Sequence, residues 1–341
     1  MRQPDDSPGT HAGSAAIAVI DIAPYLEESP GSAVKIAAEV RAACETFGMF
    51  GIVGHGVPDD AIADVERVSR AFFDLPVEEK MSYAPRSRLD YVGYYGMQSL
   101  AAAVTIGEAT PKDLFEVFSC GPYDDIRAPG DGEVMLFARN IWPRRPPELR
   151  TVWLRYYRQM EQLSKVLLRI FAVALDLGES WFQDRVGNHL SELIVNHYPP
   201  QTVPPLPGQV RQGAHTDFGT LTILRSSDGV PGLQIQPEAS AEVWLDVPHV
   251  PDGFVVNVSD LMTHWTNGLW VSPLHRVSNP PAEYATRHRM TIPFFHNPAA
   301  DAVIAPAPTT VTSQRPARFA PVRAGDWIGE KLGKKPRSTS R

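Results

Sequence analysis

A β-rich barrel or sandwich carried on one long helix, and preceded by a helical and mixed N-terminal part, is the architecture the sequence predicts. Three observations predict it. From Pro147 to about Gly178, apolar residues recur at helical spacing (Val152, Tyr156, Met160, Leu163, Leu167, Ile170), and so long an amphipathic helix needs a broad surface to pack on. After Gly178 the pattern changes to short apolar runs separated by Gly, Pro, Asn and Asp, such as Leu193–Val195, Leu221–Leu224, Leu233–Ile235, Val243–Leu245, Phe254–Val258 and Met290–Phe295. Thirty-two prolines in 341 residues, several of them paired, favour strands and loops over a helical bundle.

Taken in order, residues 1–15 carry Gly, Ser, Pro, Asp and Ala without an apolar period and read as a disordered N-terminus. A short strand over Ile17–Ile22 brings the chain into order. Val34, Ile36, Val40 and Ala43 mark a helix over Ala33–Phe47 that stops at Gly48. Met49–Val53 reads as a buried strand and His55–Pro58 as a turn, followed by a second helix with Ile62, Val65, Val68 and Phe72 on one face. Residues 84–145 lack a period and read as loops with short elements. Within them Tyr91, Tyr94, Tyr95 and Met97 are candidates for a substrate lid. The domain plan is therefore 16–145 as a helical and mixed segment packing on the core, 146–330 as the long helix plus β core, and 331–341 as a basic, disordered tail.

The formal charge of −7 gives no bulk field that would recruit nucleic acid or an anionic membrane. Lys331, Lys334, Lys335, Arg337 and Arg341 form the one basic run, which reads as a solvated terminus. Cys44 and Cys120 are too few for a disulfide framework or a thiolate zinc site. No apolar stretch approaches the ~20 residues of a membrane span, and Met1–Ser14 has no hydrophobic signal core. These features predict a cytoplasmic protein whose partner is a small molecule, and none of them specifies an oligomeric state.

The chemistry concentrates in Gly213-Ala-His215-Thr-Asp217-Phe-Gly-Thr220. Residues two apart on a strand share a face, so the imidazole and the carboxylate can reach one point. Downstream lie His275 and, after a turn-rich segment, Arg289 and Thr291. A hairpin centred on residue 282 would set His275 opposite Arg289, with Thr291 on the Arg289 face. Two His and one carboxylate leave adjacent metal positions open, as iron(II) oxygenases require. A guanidinium with a neighbouring hydroxyl suits the far carboxylate of a dicarboxylate. The other histidines are less telling. His55, His189, His197, His249, His288 and His296 have no ligand spacing, His264 is a candidate substrate contact, and Phe294 and Phe295 read as core.

At these residues the chain resembles the isopenicillin N synthase-like family of iron(II)/2-oxoglutarate-dependent dioxygenases, over roughly residues 16–330. The resemblance extends to Phe47-Gly-Met-Phe-Gly-Ile-Val-Gly-His55-Gly-Val, Ala71-Phe-Phe-Asp-Leu-Pro76, Asn196-His-Tyr198-Pro-Pro, Thr220-Leu-Thr-Ile-Leu224, Val230-Pro-Gly-Leu-Gln-Ile235 and Trp265-Thr-Asn-Gly268. It implies a double-stranded β-helix (jelly roll) core with a long backbone helix and an N-terminal helical cap. It also implies His215, Asp217 and His275 as iron ligands, Arg289 and Thr291 as the pair that binds 2-oxoglutarate, and Asn196 and Tyr198 lining the same site. Thr291 replaces the usual Ser and keeps the hydroxyl; Gly54 stands where Asn is frequent; Asp217 argues against the halogenase variants.

The implied cofactors are Fe(II), 2-oxoglutarate and O2, with ascorbate as a stimulant. Oxidative decarboxylation of 2-oxoglutarate to succinate and carbon dioxide is coupled to hydroxylation, desaturation or cyclisation of a small molecule. Family type and the proline- and alanine-rich composition point to bacterial specialised metabolism, including antibiotic biosynthesis. Three rivals remain open from the residues alone: an iron oxidase of the isopenicillin N synthase type that uses Arg289 on its own substrate, a zinc hydrolase, and a metal-free binding protein with this fold.

Overall fold

The computed structural model describes residues 14–87, 90–122, 138–237 and 243–333. The chain first forms β1 (Val19–Asp21), which pairs in parallel with β2 (Met49–Val53). Helices α1 (Ala23–Leu26) and α2 (Ser32–Thr46) lie between them, and α3 (Asp59–Phe73) and α4 (Val77–Met81) follow. The segment expected to be loops with short elements supplies β3 (Gly93–Tyr95), a 3-10 turn over Ala102–Ile106 and β4 (Glu116–Cys120). The long helix is α5 (Leu149–Ala174), about 39 Å at 1.5 Å per residue.

Beyond it come α6 (Gln183–Val186), β5 (Glu192–Tyr198), β6 (Gln212–His215), β7 (Leu221–Ser226), β8 (Leu233–Gln236), β9 (Leu245–Asp246) and β10 (Phe254–Val258). The chain ends with α7 (Asp260–Trp265), β11 (Leu274–Val277), β12 (Arg289–His296), the ribbon β13 (Val303–Ile304) with β14 (Val322–Arg323), and α8 (Ala324–Lys331). From β5 to β12 the chain alternates between two sheets, the hairpin β8–β9 staying within the smaller one. An eight-stranded sheet has the order β1-β2-β10-β7-β12-β5-β4-β3, and a four-stranded sheet the order β6-β11-β8-β9. That alternation is the double-stranded β-helix.

The N-terminal segment does more than pack on this core. Its strands continue the larger sheet, with β2 joining β10 at one side and β4 joining β5 at the other. Helix α5 lies against β7 and β12 and also packs on α2 and α3, each of which buries an apolar stripe. Lys331, counted from the sequence as the start of the tail, instead closes α8 with its Nζ 3.2 Å from Asp260. The expected disordered residues up to 13 and the tail from Lys334 lie outside the described residues. No helix among the described residues is long and apolar enough to cross a membrane.

Trp153 of α5 joins helix layer to sheet. It is fully buried, meets Phe118 edge-on at 5.2 Å between ring centres, and donates Nε1–H to Ser69 Oγ at 3.0 Å. Replacing it removes both apolar burial and packing against β4. We predict that Trp153→Ala costs about 3–5 kcal/mol in urea denaturation. A loss below ~1 kcal/mol would contradict this account of the helix layer.

Candidate metal centre

Strands β6 and β11 are neighbours, and their register sets His215 opposite His275. The hairpin expected between His275 and Arg289 is not formed. Strand β11 belongs to the smaller sheet and β12 to the larger one, and residues 278–288 cross between them through a 3-10 turn at Ala282–Tyr284. The two sheets face each other, so His275 and Arg289 still line one cavity. The spacing also predicts His215 and Asp217 on one strand face. In fact β6 ends at His215, and Asp217 sits in the turn toward β7.

Each imidazole is held by its far nitrogen. His215 donates Nδ1–H to the carbonyl of Gly213 at 2.8 Å, and His275 donates Nδ1–H to that of Pro273 at 3.0 Å. A carbonyl only accepts, so both Nε2 atoms are left as acceptors pointing away from it. They lie 3.9 and 3.8 Å from Asp217 Oδ1. The other carboxylate oxygen, Oδ2, accepts from Thr222 Oγ1 at 2.5 Å and from Asn257 Nδ2 at 2.8 Å. The three candidate ligand atoms fall within 4.8 Å of one another.

Burial, followed by the neighbouring His275, holds the His215 imidazole down to about 4, so it is neutral at physiological pH. Burial pushes the Asp217 carboxyl up. The adjacent imidazoles and the Thr222 and Asn257 hydrogen bonds outweigh that and hold it below the usual carboxylate range. Two imidazole nitrogens and one carboxylate oxygen, convergent and shielded from solvent, are a donor set that fits a divalent iron ion.

The larger sheet supplies the rest of the cavity. Arg289 pairs across to Tyr198 and Thr291 to Asn196, so the four residues form one patch on the face toward the triad. Arg289 is 3% exposed, donates Nε–H to the Val230 carbonyl at 3.2 Å and lies 5.0 Å over the Tyr198 ring. Its Nη1 is buried without a hydrogen-bond partner. A guanidinium with an unsatisfied N–H fits an incoming carboxylate.

Reasoning from sequence missed several supporting residues. Thr222 and Asn257 were legible as polar residues inside otherwise apolar strands. Asp113 was not legible. Its carboxylate accepts the backbone N–H of Ala102 at 2.7 Å and of Gly213 at 3.0 Å, tying the 3-10 turn to β6, and burial pushes its carboxyl up to about 6. Arg211 is a second buried guanidinium, pushed down to about 10 by burial and then by the charge of Arg289.

A cavity of about 520 Å³ opens on the other side of His215 and Asp217, walled mainly by Tyr91, Tyr95, Leu100, Val117, Ile194 and Phe295. Of the lid candidates, Tyr91 and Tyr95 face it. Tyr91 holds φ at +51° and donates its hydroxyl to the Leu332 carbonyl at 2.6 Å. Tyr94 turns the other way, to Glu116, and Met97 does not line this cavity. Phe294 is core, whereas Phe295 lines both cavities and corrects the expectation for it. His264 stacks on Phe319 and lines neither. His197 bonds Glu116 at 2.8 Å and His288 at 3.0 Å on the far side of the sheet.

A jelly roll with two histidines and one aspartate at its mouth defines a class of mononuclear metal oxygenase fold. Residues 190–298 match the 2OG-Fe(II) oxygenase superfamily, and residues 17–145 match the non-haem dioxygenase in morphine synthesis N-terminal family. The chain is 31% identical over 298 residues to validamycin A dioxygenase of Streptomyces hygroscopicus subsp. limoneus, covering 85% of this chain and 79% of that protein. It is 31% identical to clavatol oxidase of Penicillium crustosum over 302 residues, covering 84% of this chain and 87% of the other. Among solved structures, a full-length Neurospora crassa protein in complex with alpha-KG and thymine superposes with a TM-score of 0.80 at 25% identity, covering 93% of this chain and 96% of that one. The chain belongs to the 2OG-Fe(II) oxygenase superfamily. It is an oxidoreductase of the 2-oxoglutarate-dependent dioxygenase type, with iron(II) and 2-oxoglutarate as cofactors.

The turn that carries Asp217 is closed by Gly219. A Cβ there would fall 2.2 Å from Asn297 Oδ1 and 2.4 Å from the His296 carbonyl. Gly219→Ala is therefore expected to destabilise the fold by about 1–3 kcal/mol, read from thermal or urea denaturation. An unchanged midpoint would show that the turn can shift freely.

Proposed function

We propose that His215, Asp217 and His275 hold iron(II), that Arg289 and Thr291 hold the distal carboxylate of 2-oxoglutarate, and that the adjoining cavity binds the small molecule to be oxidised. One observation carries this reading: a single cavity joins the His-Asp-His set to a buried guanidinium with an unpaired N–H. With O2, the bound iron and 2-oxoglutarate supply an oxidation that turns 2-oxoglutarate into succinate and carbon dioxide.

The residues of this chain do the positioning. The carbonyls of Gly213 and Pro273 fix both imidazoles in the tautomer that presents Nε2. Thr222 and Asn257 occupy Oδ2 of Asp217, so that Oδ1 faces the ligand position. Asn196 and Tyr198 flank the co-substrate, and Tyr198 is itself held by donating to Gln212 Oε1 at 2.9 Å. The apolar walls of the larger cavity, Leu100, Val117, Ile194 and Phe295, exclude water around the reacting carbon. Relatives named for validamycin A and clavatol support a small molecule of specialised metabolism as substrate, and the first of them supports an antibiotic pathway.

Two sets of variants test the assignment. Thr222→Val and Asn257→Leu leave the three ligands in place and remove their support, so metal affinity measured by calorimetry is expected to fall ~10–100-fold. Arg289→Met is expected to raise the dissociation constant of 2-oxoglutarate by about 30-fold or more, the equivalent of losing ~2 kcal/mol of charge pairing. Succinate released in step with substrate consumption distinguishes this reading from an oxidase that uses Arg289 on its own substrate. Full affinity in Arg289→Met would overturn the carboxylate assignment.

A further inference from the structure

Behind Arg289, on the side away from the triad, lies a separate chamber of about 150 Å³. Leu224, Leu233 and Arg289 line both this chamber and the triad cavity, so these side chains are the partition between them. On the opposite side, the triad cavity shares Gln212, His215, Asp217 and Phe295 with the 520 Å³ cavity. The three spaces therefore stand in series, with the guanidinium at the inner end of the small chamber.

The chamber reaches the surface between two connections. One is the β7–β8 turn, where Gly229 (φ +59°) and Gly232 (φ +142°) leave a wall of bare backbone. The other joins β9 to β10 and carries Pro248 and His249, both exposed. The His249 ring forms the lip of the opening: its Cδ2 lies 3.8 Å from where a Cβ on Gly229 would stand. Asp246 is the one carboxylate on the lining, and its Oδ1 accepts from Gln234 Nε2 at 2.8 Å. At the far end waits Arg289, tied by Nε to the Val230 carbonyl and with Nη1 unpartnered. A narrow passage that ends on a buried cation suits a slender dicarboxylate entering carboxylate first.

We propose that this chamber is a port through which 2-oxoglutarate enters and succinate leaves, separately from the substrate cavity. The inference rests on the co-substrate role proposed for Arg289. Its consequence is that a molecule filling the larger cavity does not trap the dicarboxylate behind it. Leu224 and Leu233 make no side-chain hydrogen bonds, so their rotation opens the partition without breaking a polar contact.

A gate changes the barrier and leaves the end states alone, so it alters entry and exit rates together. The test uses the full-length protein loaded anaerobically with iron(II), mixed rapidly with 2-oxoglutarate, and followed by the visible charge-transfer band. His249→Trp fills the lip of the port; Leu100→Trp fills the substrate cavity. His249→Trp is expected to lower the association and dissociation rate constants together by about tenfold while the dissociation constant stays within about twofold. His249→Ala should raise both rates, and Leu100→Trp should leave both unchanged. Slowing by Leu100→Trp with none by His249→Trp would overturn the port, and so would a changed affinity in His249→Trp with an unchanged dissociation rate. The wild-type titration comes first: no band there would remove the co-substrate reading and the port with it, whereas a band with rates indifferent to His249 removes the port alone.

Discussion

The carboxylate of Asp217 is the group around which the centre is built. It is 4% exposed, and an ionised carboxylate taken out of water at that depth is costly unless every lone pair is used. The larger sheet meets that demand by register. Asn257 of β10 and Thr222 of β7 are cross-strand partners, and both donate to Oδ2. The turn is fixed as well, since the N–H of Asp260 donates to the Asp217 carbonyl and that of Leu261 to Gly219. What is left over is Oδ1, facing two imidazoles from the opposite sheet. The proposed metal position is thus a property of two sheets facing each other, and α5 matters to it by holding the larger sheet in shape.

The same registers lay out the remaining space in rows. Asn257, Thr222, Phe295 and Glu192 stand side by side across β10, β7, β12 and β5. This row reaches from the triad into the larger cavity. Four residues along, Ser226, Thr291, Asn196 and Val117 form a second row across β7, β12, β5 and β4. Arg289 lies beyond it, opposite Tyr198. The proposed substrate side, metal position and co-substrate side therefore succeed one another along the strands. Chemistry at one end need not share an entrance with chemistry at the other.

Much of this was legible in the sequence, for physical reasons that differ by residue. The apolar periods marked α2 and α5 to within a few residues and picked out the buried face of α3, because each buries one stripe. The candidate ligands His215, Asp217 and His275, and Arg289 with Thr291, were legible as residue types at a telling spacing. Their geometry was not. His275 and Arg289 read as hairpin partners because a turn-rich segment between two apolar runs favours that reading, and nothing local distinguishes a turn from a crossing between sheets. Asp113 escaped because its partners are backbone N–H groups brought together only by the fold. Phe294 and Phe295 looked alike, and the strand period of two sends one to the core and the other to the cavity.

The most direct measurement is an anaerobic titration of the iron(II)-loaded protein with 2-oxoglutarate, followed in the visible spectrum. Binding of both to one cavity predicts a weak charge-transfer band that saturates at one equivalent, is absent from His215→Ala, and is weakened in Arg289→Ala. Iron that binds without giving any band, or a band that survives His215→Ala unchanged, would contradict the placement of metal and co-substrate between the two sheets.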